Sequence, residues 1–198
     1  MTKSSSTENE ESTTVPFEIK GIRLTTYVYP SEDLKTLEEA LGRILPGKLR
    51  EKNEGGNSKD ISLVQEPLQL IEKTPLIRLK LNLKKKHDAR IFISHLIQNL
   101  SVIDQKLVLS KIPLSLSPER ILYLRLDKQE AVLGKIKLLH RANLDNEILL
   151  PKEEPGHAIQ LMIIFKPKLE RGKKPSKKRS HLKASDVLEL LLSEGFEK

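Results

Sequence analysis

Tyr123, Arg125, Lys128, Gln129, Lys135 and Lys137 lie close together in the stretch ERILYLRLDKQEAVLGKIKLL, residues 119–139. A phenol ring can stack on a nucleic-acid base, and guanidinium and ammonium groups hold phosphate oxygens. On adjacent strands these side chains would form a basic strip for RNA. A blander account also covers them: Asp127 and Gln129 satisfy backbone groups in a tight turn, and the lysines are ordinary solvated surface.

A second set of cations follows later. Residues 166–183, KPKLERGKKPSKKRSHLK, hold nine basic residues against Glu170, among them Lys173, Lys174, Lys177, Lys178 and Arg179. Their net charge of +8 equals that of the whole 198-residue chain. Pro167, Gly172 and Pro175 punctuate the run, which has no apolar face to bury and reads as a flexible arm. Localised charge of this kind attracts a polyanion, with counterion release and little dependence on base sequence. Beyond it, Val187, Leu188, Leu191 and Leu192 form the apolar stripe of a short helix in residues 184–196, with Ser185 as its expected cap. That helix either docks on a partner or folds back over a sheet edge.

Other chemistries find little support. The chain has no cysteine, so it has neither a disulfide framework nor a thiolate ligand or nucleophile. His87, His95, His140, His157 and His181 show no ligand spacing, so no metal is expected. No Gly-rich phosphate loop, nucleophile elbow or paired-carboxylate motif is present. The expectation is a non-catalytic protein without a cofactor. Residues 1–15 are polar, and no run approaches the length of a membrane span, so a soluble cytoplasmic protein is expected.

The elements that must position these side chains follow from periodicity. Phe17, Ile19, Ile22, Leu24, Tyr27 and Tyr29 predict a long strand with a bend or bulge at Gly21. Pro30 stops it, and Ser31, Glu32 and Asp33 open a helix with a buried stripe of Leu34, Leu37, Leu41, Ile44 and Leu45. Pro46-Gly47 ends that helix, and residues 48–60 read as a mobile loop. Strands are expected at residues 61–72 and 76–83, the second with Leu76, Arg78, Lys80 and Asn82 on one side and Ile77, Leu79, Leu81 and Leu83 on the other. A helix begins near Asp88, a shorter one covers residues 102–111, and Pro113 and Pro118 bracket an extended connection.

Within residues 119–139, Ile121, Tyr123 and Arg125 alternate with Leu122, Leu124 and Leu126, which is a strand with one apolar face. Asp127 caps a single helical turn, Gly134 ends it, and Lys135, Ile136, Lys137 and Leu138 alternate as a second strand. Residues 140–156 read as an irregular loop, and residues 158–165 as a last strand apolar enough for the sheet interior. The order β-α-β-β-α-(α)-β-β-β is α+β, two-layer, with helices on one face of a mainly antiparallel sheet.

The signature carried by Leu122, Tyr123, Arg125, Asp127, Lys128, Gln129, Ala131, Leu133 and Gly134 resembles that of an archaeal RNA-binding-domain family of predicted exosome subunits. The resemblance implies a fold similar to double-stranded-RNA-binding domains and to the large-subunit ribosomal protein that cradles the small ribosomal RNA. It also implies RNA as partner, with exosome or ribosome-maturation proteins beside it. One departure stands out. Where the family has a glycine-rich G-x-x-G-N-P turn, this chain reads Gln65-Glu66-Pro67-Leu68-Gln69-Leu70, so no role of that turn carries over. The expected organisation is a tail at 1–15, an RNA-binding body at 16–166, a basic linker at 167–183 and an amphipathic helix at 184–198. The competing class is a protein-interaction adaptor with an incidental basic arm.

Overall fold

The computed structural model describes residues 17–54, 60–69, 75–139, 157–168 and 182–195. The polar tail, the loop at 140–156 and most of the basic arm, including Lys173, Lys174, Lys177, Lys178 and Arg179, lie outside the described residues.

Strand β1 (Phe17–Val28) is the middle of the sheet. On one side it pairs with β3 (Pro75–Leu83), which pairs with the edge strand β2 (Ile61–Gln69). On the other it pairs with β5 (Ala158–Pro167), which pairs with the edge strand β4 (Ile121–Asp127). Every pairing is antiparallel, giving the order β2-β3-β1-β5-β4. The protein is α+β, as its alternation and helical periodicity predict. Gly21 marks a bulge between β1 and β5, with the register shifting between Ile19 and Gly21.

One face of this sheet is apolar. Ile22 and Leu24 of β1, Leu79, Leu81 and Leu83 of β3, Leu122, Leu124 and Leu126 of β4, and Ile159, Leu161 and Ile163 of β5 all join a single buried cluster. The helices supply its other half. These are α1 (Leu34–Arg43), α2 (Gly47–Glu54), α3 (Lys86–Asn99), α4 (Val102–Ser115), α5 (Lys128–Val132) and α6 (Ala184–Ser193).

Four local expectations change. Pro46-Gly47 ends α1 but also starts α2 in the expected loop: the Leu49 and Arg50 amides donate to Pro46 O, and Leu49 is buried. Arg50 then reaches back to the carbonyls of Gly42 and Arg43 at 3.2 and 2.9 Å, closing the end of α1. Helix α4 runs on to Ser115, with Pro113 inside its last turn. The segment after Gly134 makes only a bridge, Leu126 to Leu138, rather than a full strand. Helix α6 is capped from Lys183, whose amide donates to Asp186, and not by Ser185.

The turn inside the signature forms as read. The Asp127 carboxylate accepts from the Gln129 and Glu130 amides at 2.8 and 3.1 Å, and Gly134 adopts a φ of 77°. Arg43 of α1 donates to Val132 O at 2.6 Å, fastening the end of α5 to the helical layer.

Candidate nucleic-acid interface

The other face of the sheet carries no described helix, and none of its side chains belongs to the buried cluster. Register fixes its composition, since side chains at every second position share a face. One row crosses the sheet as Glu66, Arg78 and Tyr27, and reaches Ala158 and Asp127 on the far side. The next is Val64, Lys80, Thr25, Gln160 and Arg125, followed by Ser62, Asn82, Arg23, Met162 and Tyr123. Towards the start of β1, Glu18 stands opposite Lys166.

This helix-free face holds two phenol rings and a thioether among four basic side chains of its central rows. Tyr27, Tyr123, Met162 and Arg125 are half-buried, so their flat or polarisable surfaces remain partly accessible. Arg23 is exposed, with Nε donating to Asn82 at 3.0 Å. Arg78 and Lys80 both bind Glu66, at 2.7 and 2.6 Å. The Lys80 hydrogen bond is the main reason the Glu66 carboxyl sits below its ordinary range. Such a surface can stack bases and hold phosphates without any catalytic group.

Tyr123 and Arg125 thus take the same face, as their alternation predicts, and Lys137 lies at its margin. The Asp127 amide donates to Lys137 O, and the Leu139 amide to Arg125 O, so this segment runs along the outer edge of β4. The Lys137 ammonium is exposed, 3.5 Å from Glu130. Lys135 and Gln129 are exposed on either side of the α5 turn.

Lys128 does not belong to this strip. Its side chain is only 4% exposed, and Nζ lies 2.6 Å from both Glu32 carboxylate oxygens and 2.7 Å from Tyr27 O. The helical turn after Asp127 rotates it off the strand face and into the body. The expected docking residues are corrected as well. Val187 and Leu191 have no exposed surface in the core cluster, Leu188 and Leu192 pack partly against it, and Arg90 of α3 binds Glu194 at 2.8 Å. The helix folds back onto the body.

Periodicity could have found the residues that motif reading passed over. Arg23, Tyr27, Gln160 and Met162 sit at alternate positions of β1 and β5, but their relation to Tyr123 appears only once strand order is known. Among the described residues, no group of three or more His, Asp or Glu side chains could hold a metal ion. No described helix is long and apolar enough to cross a membrane.

Comparison with known proteins decides the family. A family model described as RNA binding matches residues 21–170. The chain belongs to that family. The match takes in β1 from Gly21 onward and the other four strands whole, and with them the central rows of the helix-free face. Three crystal or solved structures share the fold. A DUF54 protein from Archaeglobus fulgidus is 18% identical with a TM-score of 0.59, covering 89% of this chain and 99% of its own. A DUF54 protein from Methanothermobacter thermautotrophicus is 19% identical with a TM-score of 0.54, covering 90% and 98%. One from Sulfolobus solfataricus is 12% identical with a TM-score of 0.54, covering 87% and 98%. No curated protein matches the chain.

Proposed function

We propose that this protein is a non-catalytic RNA-binding factor that uses the helix-free face of its sheet as the recognition surface. The observation that supports this most is register: the order β3-β1-β5-β4 aligns Arg23 and Tyr27 of β1, Lys80 of β3, and Tyr123 and Arg125 of β4 on the face the described helices leave uncovered. The basic run at 166–183 adds sequence-independent, salt-sensitive affinity. The family signature supports a role in RNA processing, beside exosome or ribosome-maturation proteins.

The test is fluorescence anisotropy of a labelled RNA against the full chain over a salt series. Binding whose log affinity falls linearly with log salt supports the reading, and Tyr123→Ala should weaken it by about 1–3 kcal/mol if the ring stacks on a base. Affinity no better than that of a neutral protein near physiological salt would refute it.

One observation favours a second reading, the protein-interaction adaptor. Ile103 is 77% and Leu114 63% exposed, and their spacing puts both on one side of α4. Loss of partner capture on Ile103→Asp with RNA affinity unchanged would support that reading.

A further inference from the structure

The lower end of the sheet, where β1 begins and β3 and β5 end, gathers lysines from three neighbouring strands. Lys20 precedes the Gly21 bulge, Lys84 and Lys85 join β3 to α3, Lys86 opens α3, and Lys166 and Lys168 lie in and just past the end of β5. All six are exposed. Because β3, β1 and β5 are adjacent, the strands that carry them span only about 10 Å.

Two carboxylates order part of this row. Glu18 holds both Lys86 and Lys166, the latter at 3.1 Å, and Asp60 holds Lys85 at 2.5 Å. The Lys86 hydrogen bond is the main reason the Glu18 carboxyl lies below its ordinary range, so Glu18 stays ionised and keeps its lysines in place. Lys20, Lys84 and Lys168 make no ion pair among the described residues. Helix α3 starts here with Lys85 at its N-cap and no side-chain capping oxygen, so its positive end adds to the field.

Like charges held this close repel one another, and a string of phosphates relieves that repulsion. The row also borders the helix-free face: Arg23 lies next along β1, with Tyr123 and Met162 beside it. Rings on a sheet can meet bases only where the bases are not buried in a duplex. Resting on the RNA-binding reading, we infer that the ligand is unpaired RNA, with bases on the helix-free face and backbone phosphates on the lysine row at its end.

The test compares the full chain with a Lys20→Gln/Lys84→Gln/Lys168→Gln variant, chosen because these lysines hold no ion pair among the described residues. Each is titrated with a labelled single-stranded RNA and with a duplex of equal length between 50 and 300 mM salt, and thermal melts check the fold. The expected result is tighter binding to the single strand, and a salt slope reduced in the variant by about 2, since each single-strand phosphate contact contributes about 0.7. An unchanged slope would overturn the lysine row while leaving the RNA-binding reading intact. Preference for the duplex would overturn the unpaired ligand. Failure of the unaltered chain to bind either RNA would instead overturn the RNA-binding reading itself, and this inference with it.

Discussion

Lys128 Nζ lies 2.6 Å from both carboxylate oxygens of Glu32, and Glu32 also accepts from the Tyr29 amide at 2.9 Å. The same ammonium donates to Tyr27 O and stands 5.7 Å from the centre of the Tyr29 ring. One lysine therefore fastens the end of β1 and the entry to α1 to the turn after β4. Lys128→Met should cost about 3 kcal/mol in a urea titration, because Glu32 and the Tyr27 carbonyl are left without their partner. RNA affinity of the folded variant should stay within about twofold of the unaltered chain. Unchanged stability with lost affinity would make Lys128 a contact residue instead.

Helix α6 completes the core rather than hanging from it. Leu191 has no exposed surface, and the helix packs against α4 and β1. Leu191→Ala should lower stability by about 3 kcal/mol, the lost burial and the cavity taken together. A variant as stable as the unaltered chain would mean that α6 is not seated in solution.

A Cβ on Gly21 would lie 2.7 Å from Leu83 O, closer than the backbone of β3 allows. Gly21→Ala should therefore cost about 1–3 kcal/mol through local displacement of the bulge, measured by thermal or urea unfolding. Neutral behaviour would show that the bulge can shift at no cost.

His95 is held below its ordinary value near 6.5, first by burial and then by the nearby Arg50 charge. The folded chain disfavours the charged imidazole, so the unfolded state takes up the proton first as pH falls. The stability contributed by neutral His95 is complete above about pH 6.5 and is lost as pH falls from there towards the depressed folded value. Melts at pH 7.5 and 5.5 should show a smaller loss on acidification for His95→Gln than for the unaltered chain. Equal losses would place the pH dependence elsewhere.

Much of this architecture was legible in the chain. Alternation from Ile121 to Leu126 placed Tyr123 and Arg125 on one face, Asp127 announced the α5 cap, and Gly21 and Gly134 marked a bulge and a left-handed turn. The fate of Lys128 was not legible, because its partner Glu32 lies far away in sequence and the α5 turn rotates it inward. Helix α2 was hidden by a polar composition that local propensity reads as loop; burial of Leu49 and the reach of Arg50 onto α1 stabilise it. The interface itself was half visible. Each strand's two faces could be separated, but Arg23, Tyr27 and Arg125 become neighbours only through the order β3-β1-β5-β4.

The most direct measurement sets one face of the protein against the other at constant net charge. An Arg23→Glu/Arg125→Glu variant alters the helix-free face, and a Lys106→Glu/Lys111→Glu variant makes the same charge change on α4. Both are titrated against one labelled single-stranded RNA at fixed salt, after melts show them folded. The helix-free-face variant should lose affinity by at least about tenfold, and the α4 variant should stay within about twofold of the unaltered chain. Equal losses in both, or none in the first, would contradict recognition through the helix-free face.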